Sequence, residues 1–231
     1  MIVAIDGPAG SGKSSVARRI AKERQLTLLD TGAMYRAITW ECLQEGIDPT
    51  DESAVGRLAD QAHIDFGTAA DGSQTVALNG TDVTQQIRTP QVDQNVSAVS
   101  AIHEVRKAMV ELQRQMGAQG DVIAEGRDIG TTVFPNADVK IFLTASPEAR
   151  AFRRTAQREG MDAAIQADAQ VNAREQEKIL QDLIRRDQLD SSRAESPLRQ
   201  AEDAHHIDSS DLTFDQVVSQ IEALMDEVTN A

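Results

Sequence analysis

The chain contains little that could cross-link it or hold it in a membrane. Cys42 is the only cysteine, so the sequence offers neither a disulfide framework nor a cysteine cluster for zinc, and we expect a reducing, cytoplasmic setting. The longest apolar runs, such as 139–143, are far shorter than the roughly 20 residues that a membrane-spanning helix needs. The N-terminus lacks a basic region followed by a long apolar stretch, so we expect no signal peptide.

The chain also lacks an excess of positive charge. Its formal net charge is −14 at pH 7, which argues against nucleic-acid binding, because that binding depends on an excess of Lys and Arg. Arginines nevertheless cluster at 18–19, 150–158 and 185–193. Such clusters are either solvated helix faces, as exposed charge usually is, or sites for small anions. We therefore expect small-molecule partners, no nucleic acid, no membrane and a monomeric chain.

Apolar runs of strand length alternate with amphipathic segments over most of the chain. Buried strands are predicted at 2–5, 26–29, 122–124, 139–143 and 206–208. Helices are predicted at 14–24, 33–44, 147–158, 163–186 and 214–228. Because this alternation is typical of a parallel sheet, the sequence predicts an α/β fold with a central parallel sheet of about five strands flanked by helices. A length of 231 residues suits one such domain with insertions.

The middle of the chain follows a different pattern. Short apolar runs and turn pairs alternate there, in the order 64–66, Asp71-Gly72, 75–78, Asn79-Gly80 and 82–83. Because Asn-Gly between two short runs is a strong hairpin signal, we predict a small antiparallel insert over about 63–88. A single long helix, from Val92 to Gln115, is predicted to follow.

The first predicted strand is followed by a complete phosphate-binding motif. Residues 7–14 read GPAGSGKS, which fits G-x-x-x-x-G-K-S between a strand and a helix. The glycines allow several backbone N–H groups to point at phosphate oxygens, and the helix that follows adds its positive N-terminal end. In such loops the lysine reaches the β- and γ-phosphates and the serine hydroxyl binds Mg²⁺. We assign ATP binding to Gly7, Pro8, Ala9, Gly10, Ser11, Gly12, Lys13, Ser14 and Ser15.

A P-loop alone does not identify the reaction, because GTPases, ATPases and kinases share it. No Asn in the chain is followed by Lys, so the N-K-x-D motif that reads guanine is absent and a GTP switch is not expected. Glu125 closes the third predicted strand of the parallel sheet, where a carboxylate can hold a water on Mg²⁺. The alternative for Glu125 is a strand-end residue in solvent.

Three further segments carry polar residues in fixed patterns. They are DTGAMYR at 30–36, EGRDIGT at 125–131 and R-D-x-x-D-x-x-R at 186–193. Together with the P-loop and the insert, these segments resemble the bacterial cytidylate kinases over essentially the whole chain. The resemblance implies a P-loop kinase fold and transfer of the γ-phosphoryl group of ATP to CMP or dCMP, with Mg²⁺. It also implies one domain, with a core at about 1–32, 117–146 and 204–231, a monophosphate-binding region at 33–116 and a helical lid at 147–193.

The resemblance also implies roles for individual residues. The arginines matched to the acceptor phosphate are Arg36, Arg127 and Arg193. The residues matched to the cytosine are Thr31, Tyr35, Arg106 and Asp128. The residues matched to the ribose are Ser97, Arg186 and Asp190, with Ser100 as the alternative to Ser97. The catalytic set is Lys13, Arg127, Arg186 and Arg193, and the lid residues that are candidates for ATP are Arg153, Arg154 and Arg185.

The chemistry of the residue types agrees with these roles. Phosphoryl transfer between two phosphates concentrates negative charge, and arginine binds phosphate oxygens in pairs while staying charged. The acceptor phosphate has a second pKa of about 6 and is already ionised at neutral pH, so no general base is expected and catalysis depends on positioning and charge stabilisation. Two alternatives stay open: the same fold acting on UMP, dTMP or a non-nucleotide alcohol, and a P-loop regulatory protein that binds ATP as a signal.

Overall fold

The computed structural model of the protein describes residues 1–70, 73–158 and 172–230. The predicted turn at Asp71-Gly72 and part of the predicted helix, 163–171, lie outside the described residues. The chain forms two compact units. The first unit comprises Met1–Leu29 and Gln119–Ala231, and the second comprises Asp30–Ala118.

The described residues form eight strands and eight α-helices. The strands are β1 (Ile2–Asp6), β2 (Thr27–Asp30), β3 (Ile64–Thr68), β4 (Gln74–Leu78), β5 (Thr81–Asp82), β6 (Val122–Gly126), β7 (Val139–Thr144) and β8 (His205–Asp208). The helices are α1 (Lys13–Arg24), α2 (Thr31–Gln44), α3 (Glu52–Gln61), α4 (Pro90–Val99), α5 (His103–Gly117), α6 (Pro147–Arg158), α7 (Ala173–Ser191) and α8 (Phe214–Thr229). None of the described helices is both long enough and apolar enough to cross a membrane.

The first unit is built around the predicted parallel sheet, which is confirmed. Its five strands lie in the order β2-β6-β1-β7-β8. Strand β1 is at the centre, parallel to β6 and β7, and its residues are almost fully buried, as expected for a strand covered on both faces. Asp6, the last residue of β1, is in register with Gly126 of β6. The segments that follow β1 and β6 therefore start at the same edge of the sheet.

Helices α1 and α8 bury their apolar faces in the core of the first unit. The buried residues of α1 include Val16, Ala17, Ile20 and Ala21, which share one face of the helix. Helix α8 begins with a capping box, in which Thr213 and Gln216 satisfy each other's backbone N–H groups. The same cluster contains residues of β1, β6, β7 and β8, so these helices fix the strand from which the P-loop departs.

The second unit contains the predicted antiparallel insert, which is confirmed. Strands β3, β4 and β5 form a three-stranded sheet in sequence order. Asn79 and Gly80 join β4 to β5 with φ angles of 52° and 79°, the pair of positive values that a tight hairpin of this type requires. Helix α3 was not predicted, although Asp51 caps it by accepting a hydrogen bond from the N–H of Ala54.

The prediction of one long helix over 92–115 is wrong. The structure has two helices, α4 and α5, separated by residues 100–102. Ser100 caps α4, and Ile102 has an extended backbone (φ −68°, ψ 126°) before α5 begins. Val99 and Ile102 are both buried, so helical apolar spacing continues across the break and conceals it in the sequence.

Candidate active site

The P-loop passes so close to β7 that its first residue must be glycine. A Cβ atom on Gly7 would lie 2.0 Å from the carbonyl oxygen of Leu143, and the φ angle of Gly7 is 148°. Gly12 has open space around it but a φ angle of 96°, which side chains rarely tolerate. The two glycines are thus required for different reasons, one for close approach and one for backbone conformation.

Lys13 is the first residue of α1 and is only 4% exposed. Its Nζ donates a hydrogen bond of 2.7 Å to the carbonyl oxygen of Pro8, within the loop. Burial, together with repulsion from Arg127, lowers the pKa of Lys13 to about 7, although Glu125 and Asp6 oppose the change. A buried ammonium of this kind gains strongly from a nearby anion, because phosphate supplies the charge that solvent does not.

The two predicted magnesium ligands lie next to each other. The hydroxyl of Ser14 donates a hydrogen bond of 2.5 Å to Oε1 of Glu125, and Glu125 is buried at the end of β6. The alternative of a strand-end carboxylate in solvent is therefore wrong. Two adjacent oxygen groups fit Mg²⁺, which in ATP-dependent enzymes is bound by one or two protein groups together with substrate phosphates. Among the described residues, no cluster of three or more His, Cys, Asp or Glu residues forms a dedicated metal cage.

In the first unit, Asp190 joins two of the predicted acceptor arginines. Its Oδ2 accepts a 2.9 Å hydrogen bond from Nε of Arg127, and its Oδ1 accepts one from Nη2 of Arg193. Burial by itself raises the pKa of Asp190, but the attraction of Arg127 and Arg193, with a contribution from Arg186, outweighs it and lowers the pKa below its usual value. Arg127 is also attracted by Glu125 and Asp187, so carboxylates hold these guanidinium groups in place.

The segment after β6 is a tight π-helical turn, Ile129–Val133, which the sequence did not predict. Asp128 is buried immediately before it, and its backbone carbonyl accepts hydrogen bonds from the N–H groups of Thr132 and Val133. The side chain of Asp128 does not cap the turn. The carboxylate of Asp6 binds this turn instead. The sequence analysis assigned no role in the site to Asp6.

The second unit contains four of the residues that are predicted to bind the acceptor, namely Thr31, Tyr35, Arg36 and Arg106. Arg36 of α2 forms an ion pair with Asp93 of α4, a partner that the sequence did not reveal. The guanidinium carbon of Arg106 lies 5.8 Å from the centre of the Tyr35 ring, within the range of a cation–π interaction. Thr31, the first residue of α2, is also buried.

Ser97 and Arg106 were predicted to lie on one helix, but they belong to consecutive helices. Both are buried, so neither is an ordinary residue of an exposed helix face. Ser100 is buried as well, its hydroxyl donates to the carbonyl oxygen of Ser97, and its own carbonyl accepts a hydrogen bond of 3.3 Å from Nη1 of Arg106. Burial does not decide between the two serines, so Ser97 stays a prediction.

Arg153 of α6 is connected to the P-loop through Ser209. Arg153 donates to the hydroxyl and the carbonyl oxygen of Ser209, at 3.0 and 2.6 Å, and the hydroxyl of Ser209 in turn contacts the carbonyl oxygen of Ser11. Its assignment to ATP, like that of Arg154 and Arg185, stays a prediction.

Sequence reasoning missed Arg150, whose guanidinium is almost fully buried. It donates to the carbonyl oxygens of Ala145 and Ala9, at 3.0 and 3.1 Å, and pairs with Asp187 of α7 at 2.6 Å. Arg150 thereby connects the P-loop to both described helices of the predicted lid.

Comparisons with known proteins point to one family. A family model described as cytidylate kinase matches residues 3–227. The chain is 48% identical over 229 residues to a cytidylate kinase of Streptomyces avermitilis, with 98% of this chain and 93% of that protein covered. It is 49% identical over 223 residues to a cytidylate kinase of Corynebacterium glutamicum, with 96% and 92% covered.

Two further matches differ in what they cover. A bifunctional pantoate ligase/cytidylate kinase of a Synechococcus species is 46% identical over 226 residues, which is 98% of this chain but 43% of that protein. The chain thus spans less than half of the bifunctional protein. Among solved structures, an uncharacterized protein from Eubacterium ventriosum has a TM-score of 0.50 at 14% identity, with 98% of each chain covered. At this identity the likeness extends to the fold alone.

Proposed function

Because the chain belongs to the cytidylate kinase family, we infer that it transfers the γ-phosphoryl group of ATP to CMP and releases CDP and ADP. The observation that carries this inference is the family match over nearly the whole chain, on a structure with a complete P-loop. We propose further that dCMP is an acceptor and that the enzyme serves pyrimidine nucleotide metabolism in the cytoplasm, as a monomer. The single cysteine supports a reducing, cytoplasmic setting.

On the donor side, the P-loop backbone, Lys13 and two oxygen groups are the proposed binding elements. The N–H groups of residues 7–15, except Pro8, which has none, bind the phosphates of ATP. The ammonium of Lys13 leaves the carbonyl of Pro8 for the β- and γ-phosphates. Ser14 binds Mg²⁺ directly and Glu125 binds it through water, which their 2.5 Å contact supports. When bound, Mg²⁺ neutralises part of the charge on the transferred group.

On the acceptor side, the proposed clamp for the CMP phosphate consists of Arg36, Arg127 and Arg193. Arginine forks provide paired donors to phosphate oxygens, and the position of Arg127 and Arg193 on the two oxygens of one carboxylate, that of Asp190, supports a common role for these two. The acceptor phosphate is mostly dianionic at neutral pH and needs no base. Catalysis then depends on alignment of the two phosphates and on stabilisation of the transferred charge.

The proposed base and ribose contacts complete the assignment. The cytosine is recognised by Thr31, Arg106 and Asp128, with Tyr35 against the ring, and the buried Arg106–Tyr35 contact supports their common role. The residues proposed for the ribose are Ser97, Arg186 and Asp190. We also propose that these regions act as one domain, in which 33–116 binds the monophosphate and 147–193 forms the lid.

A screen of acceptors tests the proposed function. Purified protein with ATP and Mg²⁺ is supplied with CMP, dCMP, UMP, dTMP or no acceptor, and ADP is measured with a coupled assay. We expect rapid ADP formation with CMP and dCMP and little with the others. Comparable rates with UMP or dTMP would point to a different acceptor. ADP formation that does not depend on an acceptor, or ATP binding without ADP formation for any acceptor, would point to a regulatory P-loop protein. Chelation of Mg²⁺ is expected to stop the reaction.

A further inference from the structure

Asp6 joins the central strand to the acceptor segment. It is the last residue of β1 and is only 4% exposed. Its Oδ1 accepts a hydrogen bond of 2.7 Å from the N–H of Ile129, and its Oδ2 accepts one of 2.7 Å from the N–H of Gly130. Both carboxylate oxygens are thus bound to the two residues that directly follow Asp128.

Burial of an ionised group at this position is unfavourable for the fold. Burial raises the pKa of Asp6 to about 6, and the repulsion of Asp128 acts in the same direction. The N–H groups of Gly130 and Ile129 and the charge of Lys13 offset only part of this. Carboxylates with perturbed pKa values cluster at functional sites. The function of Asp6 should therefore depend on the backbone groups that it binds.

The turn that Asp6 holds has little room to move. A Cβ atom on Gly130 would lie 3.2 Å from Cδ of Lys140 and 3.4 Å from Oδ2 of Asp6. Lys140 is itself fixed, since its Nζ donates to the carbonyl oxygen of Pro135 and to the carboxylate of Asp203. The backbone at Gly130 is therefore held between two anchored side chains.

We propose that Asp6 is a positioning residue for acceptor recognition: its carboxylate fixes the backbone at Ile129 and Gly130 and thereby sets the orientation of Asp128. This inference rests on the proposed function, in which Asp128 reads the cytosine. Asp6 acts through the turn and does not touch CMP. Its loss is therefore expected to change the choice of base more than the use of ATP.

The substitution Asp6→Asn tests the proposal with little change of shape. One carboxylate oxygen becomes an amide nitrogen, which faces a backbone N–H as a second donor, so one hydrogen bond is lost. We expect kcat/KM for CMP to fall about 10- to 100-fold, as for the loss of a hydrogen bond to a charged group. The ratio of kcat/KM for CMP to that for UMP narrows. KM for ATP, which Asp6 can affect through its charge near Lys13, changes by a smaller factor than kcat/KM for CMP.

A matched control is available in the second unit. The carboxylate of Asp48 also accepts a hydrogen bond from a backbone N–H, that of Thr50, at 2.8 Å, but it is exposed in a loop outside the proposed site. Asp48→Asn makes the same chemical change and is expected to leave both the CMP rate and the CMP-to-UMP ratio unaltered.

A double-mutant cycle shows whether Asp6 acts through Asp128. In the Asp128→Ala background, Asp6→Asn is expected to leave the CMP-to-UMP ratio unchanged. A further narrowing of equal size in that background would overturn the proposal, as would an unchanged ratio in the single variant. If the wild-type enzyme shows no preference for CMP, the proposed function itself fails, which is a separate outcome.

If Asp6→Asn does not fold, the variant Gly130→Ala tests the same contact. Gly130→Ala retains Asp6 but places a methyl group against Lys140 and Asp6, which displaces the turn slightly. The same pattern is expected: weaker use of CMP, a narrower CMP-to-UMP ratio and nearly normal ATP binding. Wild-type kinetics, or equal losses for ATP and CMP, would refute a positioning role for this contact.

Discussion

The donor loop and the acceptor residues are built in different ways. The donor loop is one continuous segment, residues 7–14, whose proposed ligands are mainly backbone N–H groups held in place by glycine conformations. The residues proposed for the acceptor are scattered along the sequence from Thr31 to Arg193, and their charged side chains are held by partners such as Asp190 and Asp93. Changes in the donor loop should therefore reduce activity with every acceptor, whereas changes among the acceptor residues should alter which acceptor is used.

The largest expected effect concerns base choice. Asp128→Ala should lower kcat/KM for CMP strongly and for UMP much less, because a carboxylate accepts a hydrogen bond from the amino group of cytosine but meets another acceptor at O4 of uracil. A site that depends on such a hydrogen bond can discriminate by as much as about 10⁴. This is the upper limit for the fall in the ratio of kcat/KM for CMP to that for UMP. Steady-state kinetics with both substrates measure it. If both substrates lose activity by the same factor, Asp128 supports the site without reading the base.

The second-largest expected effect concerns the donor loop, and the loss of kcat should be the same for every acceptor. Lys13→Ala is expected to lower kcat by about 10²–10³, the usual result of removing one well-placed stabilising group, with the same factor for CMP and dCMP. Circular dichroism checks that the variant is folded. Lys22→Ala, on the exposed face of the same helix, is the control and should behave as wild type. A folded Lys13→Ala variant with more than about a tenth of the wild-type kcat would contradict the assignment.

Arg193→Met should weaken CMP use by about 10- to 100-fold, the scale of a hydrogen bond to a charged group, while ATP binding changes little. Titration with a fluorescent ATP analogue and CMP-dependent kinetics separate the two. Arg199→Met, an exposed position in the same segment, serves as the control. Equal loss of ATP and CMP affinity would mean that Arg193 binds the donor.

The smallest expected effect is on the pH dependence of the free energy of unfolding. The carboxylates concerned are those of Asp6 and Asp190 in the first unit and of Asp48 in the second. The pKa of Asp6 is raised from 3.8 to about 6, so the folded state takes up a proton before the unfolded state as pH falls. The contribution of Asp6 to stability is therefore fully present below the unfolded pKa of 3.8 and is lost as pH rises through about 6. Between pH 4 and 7 the wild type should therefore lose on the order of 1–3 kcal/mol of unfolding free energy relative to Asp6→Asn.

The pKa values of Asp190 and Asp48 are lowered instead. Their contributions to stability are present above the unfolded pKa and are lost as pH falls through the lower folded value. Urea unfolding of the wild type, Asp6→Asn and Asp48→Asn at several pH values measures how the free energy of unfolding depends on pH for Asp6 and Asp48. A difference between the wild type and Asp6→Asn that does not vary with pH would show that Asp6 carries no shifted pKa.

Much of the fold follows from patterns among neighbouring residues. The strand β1, the P-loop and α1 are consecutive, and each is specified by its own apolar run, glycines or helical face. The Asn79-Gly80 hairpin is equally local, because its two positive φ angles depend on the residues that adopt them. The residue roles for CMP came from the family resemblance rather than from such patterns, and they stay predictions.

The sequence by itself determined the strands of the parallel sheet and the phosphate-binding loop, because local backbone preferences and burial periodicity lie in adjacent residues. Only the tertiary structure decided which partner each charged side chain has: Arg127 meets Asp190 across 63 positions of sequence, and Asp6 meets Gly130 across 124. It also decided where the helix after the insert breaks. Contacts over such separations depend on how whole elements pack, and no short pattern in the sequence records that packing.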